Sequence, residues 1–209
     1  MSSSSNMARP RGLFIAIEGV DAVGKRTQTS LLRDWLRENA KSTYALSFPA
    51  YETAIGKEIR RFLDGRVEYP PQVRAMLYAA NRWEKKPELD EAIANTDVLI
   101  VDRYSGSNFA YGVSGGLKLD WLTSLEDGLP MPDLTMLLDA PLAKLVPRRG
   151  TKDSYERNTN LQERAREAYL ELAAKFGWTV VDANRGVQEI AGTVRSAVTN
   201  AFGVSGRTI

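Results

Sequence analysis

Residues 17–27 have the sequence IEGVDAVGKRT, which contains the spacing of a phosphate-binding loop, Gly19-x-x-x-x-Gly24-Lys25. An apolar run, LFIAIE (13–18), precedes the loop and an amphipathic segment follows it, so the motif stands in the strand–loop–helix context that it requires. Glycine-rich backbone at a helix N-terminus can surround phosphate oxygens with N–H groups, and Lys25 can reach the outer phosphates. The predicted nucleotide-binding residues are Gly19, Val20, Asp21, Ala22, Val23, Gly24, Lys25, Arg26 and Thr27.

The residue after the loop lysine is unusual. A Ser or Thr normally faces a magnesium ion there, but this chain has Arg26, and Thr27 comes one residue too late for a standard register. Either nucleotide oxygens, water and a carboxylate such as Asp102 hold the Mg²⁺, or catalysis has been lost. We favour the first interpretation, for the reason given with the resemblance below.

Four further apolar runs follow the first: YALSF (44–48), VLIVD (98–102), LTMLLD (134–139) and WTVVD (178–182). All are continuous rather than alternating, which is typical of strands buried on both faces. Helical patterns lie between them, most clearly at 158–176, where apolar residues recur at spacings of three and four. The alternation predicts an α/β fold in three layers, a five-stranded parallel sheet with helices on both faces.

The amino-acid composition excludes several kinds of catalysis and of structural cross-link. The chain has 209 residues, a net charge of +2, no Cys and no His. Disulfides, zinc fingers and thiol or imidazole catalysis are therefore excluded. Phosphoryl transfer runs on cations, carboxylates and backbone amides, all of which are present. So small a charge excess does not indicate nucleic acid as a partner, and no apolar stretch is long enough for a membrane span.

The expected organisation is a disordered tail (1–11) and one domain (12–209). Residues 147–158, PRRGTKDSYERN, have the composition of a lid, with Pro, Gly and several cations. A charged lid that closes over phosphates excludes water, which would otherwise accept the phosphoryl group.

Ligands of parallel sheets bind at the carboxyl ends of strands. Asp102 ends the third run, where it can hold magnesium, and Arg103 follows it, where it can bind an anion. Asp139 ends the fourth run, but there we predict a structural role, capping a helix that Pro141 opens.

Tyr78 and Arg82 are four residues apart in a helical segment and share one face. A ring for stacking beside an Arg that reaches a carbonyl would recognise a pyrimidine. Asn108 can donate and accept, which suits a pyrimidine edge, although it can also cap a helix.

Several motifs occur in order over roughly residues 13–185: EGVDxxGKxTQ, FP (48–49), YAANRWE (78–84), DRY followed by SNFAY (102–111) and SYERN (154–158). Together they resemble the thymidylate kinase (dTMP kinase) family. Members of this family tolerate Arg, Ser or Thr after the loop Lys, which makes Arg26 a variant rather than damage. The resemblance implies transfer of the γ-phosphoryl of ATP to dTMP with Mg²⁺, a cytoplasmic location and a homodimer. It also implies the phosphate-loop kinase form of the predicted three-layer fold, with a short lid. One alternative is another nucleoside monophosphate kinase or a deoxynucleoside kinase. A second is a nucleotide-binding or regulatory protein without catalytic activity.

The resemblance also implies roles for individual residues. Asp21 contacts the deoxyribose 3′-OH, Arg103 binds the acceptor phosphate, Tyr78 stacks on thymine, and Arg82 bonds its O4. Because the loop has Ala22 and Val23 where some members carry an Arg, the catalytic cation is assigned to the lid, as Arg148 or Arg149 beside Lys25. The other expected substrate-binding residues are Phe48, Tyr51, Ser107, Asn108, Tyr111, Tyr155 and Glu156.

Overall fold

A single parallel sheet organises the chain. The structure, a computed structural model, describes residues 11–145 and 159–204. Its five strands have the order β2-β3-β1-β4-β5 and pair in parallel throughout. Their bounds are β1 (Leu13–Glu18), β2 (Thr43–Ser47), β3 (Val98–Asp102), β4 (Leu134–Asp139) and β5 (Thr179–Asp182). The predicted fold class is confirmed, and each predicted strand lies within one residue of the observed one.

Helices cover both faces of the sheet. In the described ranges they are α1 (Lys25–Glu38), α2 (Ala54–Leu63), α3 (Pro71–Glu84), α4 (Lys86–Asn95), α5 (Ser105–Ser114), α6 (Leu119–Ser124), α7 (Thr159–Phe176) and α8 (Val187–Val204). Successive residues of β1 enter different cores: Ile15 packs with residues of α1, α5, α7 and α8, whereas Phe14 packs with residues of α4. The fold is therefore three layers with two hydrophobic cores.

The prediction that all five strands are buried on both faces is wrong for β2 and β5. Tyr44 of β2 is 39% exposed and Val180 of β5 is 49% exposed, whereas every residue of β1 is buried. Both β2 and β5 are edge strands with a single neighbour. A run of apolar residues does not show whether its strand lies at the centre or at the edge of the sheet. Burial on both faces therefore cannot be predicted from the run alone.

Two predicted segments fall largely outside the described residues. The predicted lid (147–158) lies wholly outside, and so does the predicted tail except for Arg11, whose guanidinium contacts the Asp133 carboxylate. No helix in the described ranges is long and apolar enough to cross a membrane.

Candidate active site

The phosphate loop joins the central strand β1 to α1. Its backbone has positive φ at Gly19 (139°), Ala22 (62°) and Gly24 (100°). A Cβ on Gly19 would lie 2.5 Å from the carbonyl oxygen of Leu138 in the neighbouring strand, so only glycine fits there. No described side chain caps α1, which leaves the N–H groups of its first turn able to bind phosphate.

Lys25 lies buried across the loop. Its Nζ donates to the carbonyl oxygens of Gly19 (2.9 Å) and Val20 (2.7 Å). Burial, together with the nearby charge of Arg103, lowers the pKa of Lys25 to about 7, although Asp21, Asp102 and Glu18 oppose that shift. The ammonium is thus held in a place where an anionic ligand would stabilise it strongly.

The loop residues do not contribute equally. The side chains of Val20 and Val23 belong to the hydrophobic core, so they can offer only backbone groups to a nucleotide. Arg26 is exposed and lines the adjoining cleft, whereas Thr27 is exposed and does not.

Arg103 and Asp21 form an ion pair at the mouth of the loop. One terminal nitrogen of Arg103 contacts Asp21 Oδ1, and the other donates to the Gly19 carbonyl (3.1 Å) and to Ser107 Oγ (3.3 Å). Burial alone would raise the pKa of Asp21, but Arg103 and Lys25 bring it below its ordinary value. Asp21 is therefore an anion that orients Arg103 toward the cleft.

Arg103 itself has a left-handed backbone, with φ of 65°. Its N–H donates to the Ile17 carbonyl (3.0 Å), and the next N–H, of Tyr104, donates to Glu18 Oε1 (2.8 Å). The fully buried Glu18 also accepts from the Ser107 hydroxyl (2.6 Å). Glu18 is the last residue of the first apolar run, and its carboxylate holds the segment that carries Arg103.

Asp102 has the property expected of a magnesium ligand. It lines the cleft, and its Oδ1 is buried without a hydrogen-bond partner among the described residues. An unpaired buried carboxylate oxygen is costly unless a cation or donor meets it. The described residues contain no group of three or more acidic residues that could hold a metal ion.

One cleft of about 410 Å³ brings most of the predicted site together. The predicted residues that line it are Asp21, Ala22, Gly24, Lys25, Arg26, Phe48, Tyr51, Tyr78, Arg82, Asp102, Arg103, Ser107, Asn108 and Tyr111. Gly19, Val20, Val23 and Thr27 are not among its lining residues. Arg148, Arg149, Tyr155 and Glu156 lie outside the described residues.

Hydrogen bonds join several side chains of the cleft to one another and to the neighbouring helix α3. The Tyr111 hydroxyl lies 3.2 Å from Asp21 Oδ2 and from Gln162 Oε1. Asn108 Nδ2 donates to the Ala75 carbonyl of α3 (3.2 Å), and Asn108 lies within α5 rather than at its cap. The Arg60 guanidinium lies 3.8 Å from the centre of the Tyr51 ring.

Three residues that were not predicted support the side chains of this cleft, and two of them, Asn81 and Gln162, also line it. Gln162 donates to Asp21 Oδ2 (2.8 Å) from 141 residues away, and Glu126 pairs with Arg82 from 44 residues away. Asn81 binds both backbone polar groups of Ala50, at 2.8 and 3.3 Å. The two distant partners leave no local pattern in the sequence, and only the fold brings them to the cleft.

The capping role predicted for Asp139 is wrong. Arg166 of α7 donates to both carboxylate oxygens of Asp139, each at 2.7 Å. The short 3₁₀ turn at Leu142–Lys144 follows Pro141 and has no side-chain cap. Asp139 therefore pairs with a side chain from a distant helix and does not cap the turn that follows it.

The sheet, the phosphate loop and a cleft with cations on two sides define an α/β phosphate-loop kinase of small phosphorylated acceptors. Comparison with known proteins gives the same class. The thymidylate kinase family model matches residues 17–194. The chain is 33% identical to a thymidylate kinase of Dictyostelium discoideum over 193 residues, covering 92% of this chain and 87% of that protein.

Two further relatives agree. A Homo sapiens thymidylate kinase is 33% identical over 192 residues, covering 90% of this chain and 91% of that protein. A solved thymidylate kinase structure from Candida albicans superimposes with a TM-score of 0.80 at 29% identity, covering 91% of this chain and 92% of that one. The chain belongs to the thymidylate kinase family. These matches give no support to the alternative of another nucleoside or nucleotide kinase.

Proposed function

We propose that this chain transfers the γ-phosphoryl of ATP to dTMP and forms ADP and dTDP. The observation that carries the proposal is one cleft whose lining includes both the phosphate loop with its buried lysine and the side chains of Tyr78, Arg82 and Asn108, whose chemistry suits a pyrimidine. Because the acceptor is already an anionic phosphate, the reaction needs positioning and charge neutralisation more than a strong base. That requirement suits a chain without histidine.

On the donor side, the loop N–H groups and Lys25 bind the ATP phosphates, and Arg26 lies beside them. Lys25 leaves the Gly19 and Val20 carbonyls for anionic oxygens, which are far stronger acceptors for an ammonium group. Asp102 is the residue that holds Mg²⁺, directly or through water. When bound, Mg²⁺ neutralises phosphate charge.

On the acceptor side, Arg103 binds the dTMP phosphate while Asp21 keeps its guanidinium oriented and meets the 3′-OH. Tyr78 stacks on thymine, Arg82 donates to O4 and Asn108 faces N3. The other lining residues enclose the nucleotide, namely Phe48, Tyr51, Ser107 and Tyr111. Tyr111 occupies the place that a ribose 2′-OH would need.

The lid completes the proposal. Arg148 or Arg149 supplies the cation that stabilises the transferring phosphoryl group, and Tyr155 and Glu156 contact the nucleoside. The support is indirect: the two positions after Asp21 are Ala22 and Val23, so the loop has no arginine directly after its aspartate.

We also propose a homodimer and a cytoplasmic location, both by the family resemblance. For the dimer, a further support is α3, which exposes the large apolar side chains of Met76 and Trp83. Analytical ultracentrifugation of the full chain tests this part, and a monomer at micromolar concentration contradicts it.

The central test is ADP formation from ATP and Mg²⁺ with dTMP, dUMP, thymidine, CMP and GMP as separate acceptors. We expect clear preference for dTMP. Arg148→Ala and Arg149→Ala test the lid, and loss of a transition-state cation should lower kcat by about 10³-fold or more in one of them. Arg37→Ala, an exposed cation near the end of α1, is the matched control. Preference for thymidine or for a purine nucleotide would refute the proposed acceptor.

The role of Asp102 has its own test. Asp102→Asn should raise the Mg²⁺ concentration for half-maximal rate by at least about tenfold. An unchanged Mg²⁺ requirement would remove Asp102 from the metal site.

A further inference from the structure

Arg82 and Glu126 form the most deeply buried ion pair in the described part of the chain. Their side chains are 2% and 4% exposed. Arg82 Nε donates to Glu126 Oε2 at 2.8 Å, and one terminal nitrogen contacts Oε1, so the contact is bidentate. Arg82 also lines the cleft, whereas Glu126 is not among its lining residues and instead lines a second cavity of about 510 Å³.

Stability alone does not account for such a pair. Removing two charges from water costs several kcal/mol per ion, and well-packed apolar residues in place of a buried pair are often as stable or more so. The burial of a charged Arg82 at this cost in free energy is best explained by a functional role of its guanidinium in the cleft. Glu126 engages two of the three nitrogens of Arg82, and NH1 is the nitrogen that Glu126 does not engage.

Glu126 is itself firmly placed. It lies in the segment between α6 and β4, where its N–H donates to the Thr123 carbonyl (2.9 Å) and its carbonyl accepts from the Leu129 N–H (2.9 Å). Trp83, the neighbour of Arg82 in α3, donates through Nε1 to the Leu125 carbonyl (3.2 Å). Both partners of the ion pair are therefore fixed by one docking contact between α3 and this segment.

The bidentate contact fixes both the position and the plane of the guanidinium. We infer that Glu126 is the positioning residue that aims Arg82 at the acceptor base, and that it thereby sets the preference for a pyrimidine with a carbonyl oxygen at position 4. The inference rests on the proposed role of Arg82 in binding O4. Glu126 itself does not touch the substrate.

The test compares dTMP with 4-thiothymidine 5′-monophosphate, which keeps N3–H but replaces O4 by sulfur, a weaker acceptor. The full-length wild type should prefer dTMP in kcat/KM by about tenfold, the size of one hydrogen bond to a charged group. Glu126→Gln and Arg82→Gln should each reduce that preference to about threefold or less, because the guanidinium is then misdirected or absent. In Glu126→Gln the KM for dTMP should rise about tenfold, while kcat and the KM for ATP change less than about threefold.

Asp139→Asn is the matched control, since it breaks the other bidentate carboxylate–arginine pair of the described chain, and Asp139 does not line the cleft. It should leave the preference for dTMP at its wild-type value. If it lowers the preference as much as Glu126→Gln does, the effect is general loosening and the inference is overturned. Urea denaturation of each variant establishes that the rates refer to folded protein.

The two hypotheses fail in different ways. If the wild type shows no preference, or Arg82→Gln keeps it, the proposed role of Arg82 is wrong and the inference fails with it. If Arg82→Gln loses the preference but Glu126→Gln keeps it, only the role of Glu126 is overturned. If Glu126→Gln does not fold, Glu126→Asp takes its place in the test, because it keeps the carboxylate on a side chain that is one methylene shorter. A weakened preference in that variant supports the inference, and a wild-type preference overturns it.

Discussion

Lys25 should take up a proton when ATP binds. Burial is the main reason that its pKa lies near 7 instead of 10.5. At pH 8 only about one-tenth of the lysine is then protonated, and triphosphate oxygens that restore an ordinary pKa would draw in about 0.9 proton per site. At pH 6 the uptake falls to about 0.1 proton, because the lysine is already charged.

Isothermal titration calorimetry of Mg·ATP binding measures this uptake. At one pH, the binding heat is recorded in two buffers of different ionisation enthalpy, and the slope gives the number of protons. At pH 8 the ATP phosphates are fully ionised and the chain has no histidine, so few other groups interfere. Lys25→Arg is the control, since an arginine stays charged and should bind ATP without uptake. Normal binding with less than about 0.2 proton taken up at pH 8 would refute the reasoning.

Three further predictions concern stability and sugar selection. Because the folded pKa of Lys25 lies below the unfolded one, the folded chain binds fewer protons between pH 7 and 10.5, and the free energy of unfolding rises with pH there. Urea denaturation should show that the contribution of Lys25 raises the free energy of unfolding by about 2 kcal/mol from pH 6.5 to 8.5. The Lys25→Met variant should lack this rise. Gly56→Ala should destabilise the fold by about 1–3 kcal/mol, because its Cβ would lie 1.8 Å from the Ala50 carbonyl oxygen. Gly192→Ala, a helical position with open space, should gain about 0.5–1 kcal/mol instead, and equal effects in thermal melts would disprove the steric explanation. Tyr111→Ala should admit ribothymidine 5′-monophosphate as an acceptor, whereas Tyr111→Phe should still reject it, because ring bulk makes the selection; acceptance by both variants would assign it to the hydroxyl.

Local features of the sequence predict much of this fold. The five apolar runs and the glycine spacing at 19–24 depend on neighbours within a few residues, and the structure places them as expected. Burial of the edge strands is not predictable from the runs alone, since it depends on strand order. The same limit explains Asp139, whose partner Arg166 lies 27 residues away on another element.

The candidate site divides in the same way. Lys25 and Arg103 lie in motifs whose spacing carries information, so the sequence identifies them. Glu18, Glu126 and Gln162 instead contact Tyr104, Arg82 and Asp21, respectively, from elsewhere in the fold. A supporting carboxylate or amide has no motif of its own, and chemistry alone does not separate it from the many other Glu and Gln residues of the chain.

The cleft lies at the carboxyl ends of three neighbouring strands, and Arg103 follows β3, which lies between the other two. The phosphate loop extends from β1, which pairs with a strand on each side, whereas Phe48 and Tyr51 follow β2, an edge strand with one neighbour. Edge elements open locally at lower cost than central ones. Local opening of the cleft should therefore begin on the side of Phe48 and Tyr51, before the phosphate loop beside the central strands is disturbed.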